Sequence, residues 1–385
     1  MENRLQILSL LFAGIAFAIL VSLRIAEIIP VLDLRDYQTY YYATKAFLAG
    51  ENPYDLSVLS AYAGKKIAYA FLYPKLILIP FIPLVQFSYQ TSALLYIALK
   101  GLALGMLVAL WVKYFIADFL STFLLGLFLL TAYHATVIRD YVVGNVSIFE
   151  QVFLWSGFLF FLQKRLTLFC VMIVVGSFFK ITSVVFLFLP LLFSREKKTV
   201  LLVAASLAAL GLFYLVSYWD FPNGFEGLRL RYAQLQWEGS YLNPSSYAFI
   251  RQLVKDSGVP IHEVTGETWK IFAGYALVML TATFVVLRKT KLWTNPSIIL
   301  LVSIFLYALL LPRFKDYSYI LLVLPSLVVL RDMVPSRVLQ AAFVLAVCLH
   351  LTDYQSFFAA VLLLIVMLTR LSNISPSYSL LQRSS

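Results

Sequence analysis

The chain has 385 residues, of which 62% are hydrophobic and only 13% are charged, and its formal net charge at pH 7 is +11. Soluble domains carry about 25% charged residues, so this composition excludes a water-soluble globular protein. The apolar runs are long and do not alternate, which excludes an outer-membrane barrel and predicts an all-α, polytopic integral membrane protein.

The excess positive charge is interpreted as topology and lipid contact, because basic residues in short loops mark the cytoplasmic side of a membrane protein. No basic run with interleaved aromatic residues is present, so no nucleic-acid partner is predicted. Cys170 and Cys348 lie in apolar runs and the three histidines are scattered, so neither a disulfide nor a metal site is predicted.

The first polar stretch, residues 33–55, follows the first apolar segment. Tyr40 lies one helical turn after Asp36, and Tyr41 lies on the neighbouring stripe. This tyrosine-rich pattern predicts a short helix along the membrane surface that ends at Gly50. Asp36 can cap this helix or serve as a functional carboxylate, and composition alone favours the cap.

The later apolar runs predict twelve spans in a single membrane domain, residues 1–385, with both termini in the cytoplasm. Residues 71–90, which three prolines interrupt, are predicted to dip into the membrane and return to the outer face. Lys180 is predicted at the outer tip of a hairpin of two short helices, because both flanks of the hairpin are basic. The spans are predicted near 5–29, 91–111, 117–134, 147–163, the two arms around Lys180, 199–218, 271–287, 296–311, 317–330, 338–350 and 355–369.

Two large loops are predicted on the outer face, residues 30–90 and 219–270, and the tail 371–385 is predicted to be flexible and cytoplasmic. Nearly all acidic residues fall in the predicted outer segments, and almost no soluble mass is predicted inside. The sequence therefore places any chemistry on the extracytoplasmic face of the cell membrane.

Several motifs occur in a fixed order along residues 30–330. They are Asp36-x-x-x-Tyr40-Tyr41, Gly50-x-Asn52-Pro53-Tyr54-Asp55, Tyr73-Pro74, Gly144-Asn145, Gly176 to Lys180, and Pro312 to Pro325. This ordered set resembles glycosyltransferase family 87 of the GT-C superfamily, which includes polyprenol-phosphate-mannose-dependent mannosyltransferases.

The resemblance implies a GT-C architecture of about twelve membrane helices with the active site in an outer-facing cavity. It implies a polyprenyl-phosphate-sugar donor, no metal or other cofactor, and Asp36 as the catalytic carboxylate. Family members often carry His directly after the Asp that corresponds to Asp316, whereas Tyr317 follows here. The sugar or acceptor contact at this position therefore differs from the family pattern.

A transferase of this kind removes a proton from an acceptor hydroxyl as that hydroxyl attacks the anomeric carbon, and one carboxylate can act as the base. With the resemblance included, Asp36 is assigned as general base. Basic side chains can hold the monophosphate leaving group without a divalent ion. The candidates for that phosphate are Lys180, Arg139, Arg313 and Lys315, and those for binding substrate are Tyr40, Tyr41, Asp140, Asn145, Asp316 and Tyr317.

Each basic candidate also has a structural interpretation. Lys180 can snorkel to the membrane surface or pair with Asp140, and a lysine deep in an apolar hairpin is costly unless it is paired. Arg139 and Asp140 can form a salt bridge, and Arg313 and Lys315 can be flanking charges at a helix end. Asp33 is a second carboxylate of the same loop, where a topological charge is the simpler interpretation.

The sequence thus predicts a multi-pass glycosyltransferase of the cell envelope, acting as a monomer. It would move a hexose such as mannose, with inversion, from a polyprenyl phosphate to a lipid-linked or glycolipid acceptor. The alternative is a lipid or solute transporter or flippase, which Lys180 and the segment 71–90 fit, although the two halves show no evident repeat. A non-catalytic subunit with the same fold is a third hypothesis.

Overall fold

A computed structural model describes residues 34–116, 119–219, 243–334, 336–348, 352–375 and 377–380. These residues are mostly helical, and no β-strand occurs among them, so the predicted all-α class is confirmed for this part of the chain. The predicted span near 5–29 and Asp33 lie outside the described residues.

The described residues form thirteen α-helices, several of them joined by short 3₁₀ helices. The α-helices are α1 (Arg35–Leu48), α2 (Leu56–Ala63), α3 (Tyr89–Phe115), α4 (Phe119–Val143), α5 (Ser147–Leu162), α6 (Leu166–Phe179), α7 (Lys197–Trp219), α8 (Ser246–Asp256), α9 (Val264–Lys289), α10 (Pro296–Leu310), α11 (Ile320–Met333), α12 (Arg337–Cys348) and α13 (Gln355–Arg370). The 3₁₀ helices are Lys75–Phe81, Leu84–Gln86, Ile181–Leu192, Leu292–Thr294, Asp316–Tyr319 and Leu371–Asn373.

Five of the described helices are long and apolar enough to cross a membrane. Large apolar side chains on their outer surfaces are exposed, for example Leu102 at 67% and Leu277 at 66%, as expected where lipid replaces water. The predicted spans near 91–111, 199–218, 271–287 and 355–369 fall within helices of this group, and the span near 117–134 overlaps another from residue 121 onward. The five segments are Tyr89–Phe115, Ser121–Val143, Lys197–Trp219, Val264–Lys289 and Gln355–Asn373.

Helix α1 is buried inside the protein, and its predicted position along the membrane surface stays a prediction. Nine of its residues are buried, and they pack against α2, α3 and the 3₁₀ helix Lys75–Phe81. Its tyrosines can be buried because their hydroxyls have partners: Tyr37 bonds to Ser92, and Tyr41 donates to the Phe87 carbonyl at 2.7 Å. The helix ends as predicted, with Gly50 at a φ of +73° directly after its last turn.

Helix α4 continues to Val143, whereas its span was predicted to end near residue 134. The helical path is broken inside it, because Tyr133, His134 and Ala135 have φ values of 51°, 62° and 53°. Left-handed non-glycine residues cost about 1–3 kcal/mol each and are kept only where the surrounding structure holds them. The break leaves Arg139 and Asp140 on a separate helical segment.

The helical conformation is interrupted at Lys180, as we predicted from the basic residues on both flanks of the hairpin. Lys180 is extended (φ −142°, ψ 108°) between α6 and the 3₁₀ helix Ile181–Leu192. At 1.5 Å per residue in α6 and 2.0 Å in the 3₁₀ helix, the two arms are about 21 and 24 Å long. The hairpin therefore carries Lys180 along the full length of α5 to its first turn at Ser147.

The two other polar segments are partly described. Of the predicted loop 219–270, residues 243–270 form α8 and the start of α9, and residues 220–242 lie outside the described residues. Of the tail that was predicted to be flexible, residues 371–375 and 377–380 are described, and two of them bond to the start of α10. The Asn295 amide donates to the Tyr378 carbonyl at 2.9 Å, and the Leu380 N–H donates to Ser297 Oγ at 3.0 Å.

Candidate functional site

Asp36 lies in the first turn of α1, and its carboxylate contacts another element of the fold. Residue Leu34 occupies the N-cap position, and no side-chain hydrogen bond caps the helix. Instead, Asp36 Oδ2 accepts a 2.5 Å hydrogen bond from Asn145 Nδ2. The capping role that composition favoured is therefore not the role of this carboxylate.

Asn145 is held rigidly in the turn between α4 and α5. Its Oδ1 accepts hydrogen bonds from Ser147 N at 3.1 Å and from Ser147 Oγ at 2.8 Å. Only the amide nitrogen is then available on the other side, and it points to Asp36 and, at 3.4 Å, to the Tyr40 hydroxyl. Asn145 is 1% exposed, so these bonds replace contacts with water.

Gly144 allows this turn to approach α1 closely. Its φ is +70°, and a Cβ at this position would lie 2.8 Å from Tyr37 Cβ and 2.9 Å from Leu34 Cβ. Contacts this short are not tolerated, so a side chain here would push α1 away from the turn. The Gly144-Asn145 motif thus has two roles. Gly144 lets the turn approach α1 closely, and Asn145 donates a hydrogen bond to the candidate base, Asp36.

A buried ion pair also stabilises the turn between α4 and α5. Lys100 Nζ lies 2.6 Å from Asp140 Oδ2, and both side chains are 0% exposed. Lys100 also donates to the main-chain carbonyls of Asp140 at 2.5 Å and Asn145 at 2.8 Å. The predicted pairing of Asp140 with Arg139 or Lys180 is wrong, because Asp140 pairs with Lys100 on α3 instead. Because the Asp140 side chain is fully buried, the structure does not support the substrate contact predicted for it.

Lys180 reaches from the hairpin tip to the first turn of α5. Its Nζ lies 3.0 Å from Glu150 Oε2, and it donates to Ser147 Oγ at 2.7 Å and Ser318 Oγ at 3.2 Å. The ion-pair partner is therefore Glu150 and not Asp140. Because Ser147 Oγ donates onward to Asn145, a chain of hydrogen bonds connects Lys180 to Asp36. The Lys180 side chain is 18% exposed.

Arg139 pairs with Asp316 and not with Asp140. Its Nη1 lies 3.1 Å from Asp316 Oδ2, and its Nη2 lies 2.8 Å from His134 Nε2 at the break in α4. The other carboxylate oxygen of Asp316 accepts the Tyr317 N–H at 2.8 Å. Burial raises the pKa of Asp316, and the neighbouring Arg139 guanidinium opposes that rise.

Tyr317 connects the remaining cations to the site. Its ring lies 5.2 Å from Lys180 Nζ and 5.7 Å from Lys315 Nζ, which is within cation–π range. Arg313 and Lys315 are half-buried on the segment that leads into Asp316. Four basic side chains, Lys180, Arg139, Arg313 and Lys315, therefore converge on the segment around Tyr317.

The electrostatic environment of Asp36 combines two opposing effects. Burial raises the pKa of Asp36, because taking an ionised carboxylate out of water is unfavourable. The positive charges of Lys315, Lys100 and Arg313 and the Asn145 hydrogen bond act in the opposite direction. The net direction is upward, so this carboxyl group binds a proton more readily than an exposed aspartate.

The two predicted tyrosines occupy different surroundings. The ring of Tyr40 makes edge contacts with Tyr73 at 5.6 Å and Phe71 at 6.4 Å, and its hydroxyl faces Asn145. Tyr41 lies one position further around the helix, where its ring makes edge contacts with Tyr42 and Tyr89 and lies beneath Lys45. Tyr40 therefore belongs to the Asp36 neighbourhood, and the sugar contact predicted for Tyr41 has no support in this packing.

Sequence reasoning missed Lys100 and Glu150, which hold the site together. Both are charged residues in apolar segments, and such residues are paired or functional. That signal was present in the sequence but gave no partner. Among the described residues, no three His, Cys, Asp or Glu side chains lie together as a metal site would require, and the expectation of metal-independent chemistry stays a prediction.

The arrangement brings together the hydrogen-bonded carboxylate of Asp36, the buried hydroxyl of Tyr40 and the four basic side chains around Tyr317. A carboxylate with a raised pKa is suited to accept a proton near neutral pH. Fixed cations are suited to stabilise the charge of a departing phosphate. This combination fits group transfer from a phosphate ester to a hydroxyl.

The sequence matches the family model for glycosyltransferase family 87 over residues 71–312, which is more than half of the chain. The match includes Arg139, Asn145 and Lys180; Arg313 and Asp316 follow directly after its end, and Asp36 lies well before its start at residue 71. A search of curated proteins found no match. The family match agrees with the motifs and with the helical membrane architecture, and the chain belongs to glycosyltransferase family 87.

Proposed function

We propose that this membrane glycosyltransferase takes a hexose, such as mannose, from a polyprenyl-phosphate donor and adds it with inversion to a lipid-linked or glycolipid acceptor. The observation that carries the proposal is the 2.5 Å hydrogen bond from Asn145 to Asp36, beside the cations gathered around Tyr317. A carboxylate held in this way has a fixed direction and a raised pKa, as a general base requires.

In the proposed reaction Asp36 takes the proton from the acceptor hydroxyl. The oxygen of that hydroxyl forms a bond to the anomeric carbon of the donor sugar, and the bond from that carbon to the phosphate oxygen breaks. The electron pair leaves with the polyprenyl phosphate, whose charge Lys180, Lys315, Arg313 and Arg139 stabilise. No metal ion is needed for this charge balance.

The proposal includes a topology. We place the chain in the cell membrane with twelve spans in a GT-C architecture, both termini in the cytoplasm and Asp36 on the extracytoplasmic face. The basic inner turns of the sequence support this orientation. The family membership and the carboxylate beside clustered cations favour a transferase over the transporter or flippase alternative.

The test is an Asp36→Asn variant of the purified protein, assayed for transfer from a polyprenyl-phosphate hexose. We expect turnover to fall by at least about a hundredfold, because a general base contributes about 10²–10⁴-fold. The matched control is Asp55→Asn, which removes a carboxylate that caps α2 by accepting the Ser57 N–H at 2.8 Å. Near-normal transfer by Asp36→Asn, or an equal loss in the control, would remove Asp36 from this role.

A further inference from the structure

A cavity lies far from Asp36, between the turn that joins α5 to α6 and the start of α7. Its volume is about 370 Å³, within the range of small-molecule sites (about 300–1,000 Å³). It is lined by Lys164, Arg165, Leu166, Thr167, Leu168, Glu196, Lys198, Thr199 and Leu202.

This cavity is at the opposite end of the helix bundle from the transfer site. It contacts residues that follow the end of α5 at Leu162, whereas Ser147 and Asn145 of the transfer site lie at its beginning. Sixteen residues of α-helix at 1.5 Å each separate the two ends by about 24 Å. By the predicted topology the two sites lie at different depths of the membrane.

The cavity is positively charged and its cations have no internal partner. Lys164, Arg165 and Lys198 line it, against one acidic side chain, Glu196. Within the described residues, no hydrogen bond, ion pair or cation–π contact is formed by the side chains of these three basic residues. Three exposed cations that form no ion pair and outnumber the one acidic side chain favour binding of an anion.

The backbone adds to this charge. Lys164 has a φ of 61°, and the Arg165 N–H donates to the Phe160 carbonyl at 2.8 Å, so a tight turn leads directly into α6. No side chain caps the start of α6, and its first turn contains no acidic residue. The positive end of the helix dipole therefore adds to the side-chain charges at the cavity wall.

The remaining wall consists of three leucines and two threonines, and exposed apolar side chains continue from it along the outer surface of α6 and α7. Leu168 is 40% exposed and Val171, one turn further along α6, is 48% exposed. On the neighbouring helix Leu201 is 58% exposed. A ligand with an anionic head and hydrocarbon chains fits this pattern better than a small free anion, because it can cover both the charged and the apolar surface.

We propose that this cavity binds the phosphate of an anionic phospholipid, with the headgroup among Lys164, Arg165 and Lys198 and the acyl chains along α6 and α7. By the predicted topology this lipid lies in the cytoplasmic leaflet, opposite the leaflet of the transfer reaction. The bound lipid would fix the depth in the membrane of the turn between α5 and α6.

The experiment measures binding of fluorescent phosphatidylglycerol and phosphatidylcholine to the whole protein in detergent, with inorganic phosphate as a separate arm. The test variant combines Lys164→Gln, Arg165→Gln and Lys198→Gln. The control combines Arg288→Gln, Lys289→Gln and Lys291→Gln, which removes the same charge from exposed residues at the end of α9. Circular dichroism and gel filtration check folding.

We expect the wild type and the control to prefer phosphatidylglycerol, and the test variant to bind it at least about tenfold more weakly, since basic residues near an anionic lipid headgroup attract it. Equal binding of the two lipids by the wild type, or an equal loss in both variants, would overturn the proposal. Binding of inorganic phosphate without a preference for phosphatidylglycerol would overturn the lipid assignment. If the triple variant does not fold, Lys198→Gln and Lys289→Gln are compared in the same way.

Discussion

The side-chain amide of Asn145 donates a 2.5 Å hydrogen bond to the carboxylate of Asp36, 109 positions away in the sequence. The amide cannot rotate freely, because its oxygen accepts both the N–H and the hydroxyl of Ser147. Asn145 is therefore a positioning residue for the proposed base. It links α1, which carries the carboxylate, to the start of α5.

Replacing Asn145 by Ala tests that link. The change removes a hydrogen bond to an ionised carboxylate, which is worth about 1.5–3 kcal/mol, so we expect kcat to fall by about ten- to a hundredfold. The control is Asn52→Ala, which removes a similar side-chain acceptor of a turn N–H, that of Tyr54 at 3.0 Å. Equal activity of the two variants would show that Asn145 does not position the base.

Gly144→Ala tests the close approach of α1 to the turn. The new Cβ would lie 2.8 Å from Tyr37 Cβ, and overpacking of this kind costs about 1–3 kcal/mol. The control is Gly258→Ala, since Gly258 also has a positive φ (+83°) but has no atom within 4 Å of an added Cβ. We expect a lower Tm for Gly144→Ala than for Gly258→Ala by thermal unfolding in detergent. Equal values would mean that the turn and α1 are not in contact.

The ion pair of Lys180 with Glu150 predicts opposite effects on donor binding. Lys180→Gln removes a cation from the donor phosphate and should raise the donor KM. Glu150→Gln removes the carboxylate 3.0 Å from Lys180, which leaves its charge available to the phosphate and should lower the donor KM. Both variants lose stability, because each leaves one partner of the pair without its counter-charge.

A purely structural ion pair would give a different result. Both variants would then lose stability and turnover together, and the donor KM would not move in opposite directions. Steady-state kinetics at several donor concentrations, together with thermal unfolding, separates the two cases.

Lys315→Gln predicts a change in the pH dependence of activity. The Lys315 charge lowers the pKa of Asp36 against the effect of burial, so its removal raises that pKa further. A general base acts in its ionised form, and activity rises as the pH passes upward through its pKa. We therefore expect the acidic limb of the kcat/KM profile to move to higher pH.

The control for this profile is Lys45→Gln, which removes a positive charge near the end of α1, over the Tyr41 ring at 4.8 Å. Its acidic limb should stay where the wild-type limb lies. A Lys315→Gln profile that superimposes on that of the wild type would show that Lys315 does not influence the base.

Cysteine labelling tests the proposed orientation. Glu51 and Lys197 are exposed, and they lie in a predicted outer loop and a predicted inner turn. In a background with Cys170→Ser and Cys348→Ser, we expect Glu51→Cys to react with an impermeant reagent from outside and Lys197→Cys only after the membrane is opened. Labelling of both positions from the same side would contradict the topology between them.

The sequence alone determined the helical class and several of the points at which the chain turns. Gly50 ends α1 and Gly144 forms the turn before α5, since both adopt positive φ values that glycine accepts without strain. The break at Lys180 was predictable from the basic residues on both flanks of the hairpin. These are local properties, and hydropathy and turn chemistry record them directly.

Only the tertiary structure decided which charged residues meet. Asp140 pairs with Lys100, Arg139 with Asp316, and Lys180 with Glu150, whereas the sequence suggested pairs among Arg139, Asp140 and Lys180. The tertiary structure also buries α1, although the tyrosines of this helix resemble an interfacial belt in the sequence. A membrane helix is apolar on most of its surface, so hydropathy gives its length but not its rotation or its neighbours. Packing between helices sets both, and with them the partners of Asp36.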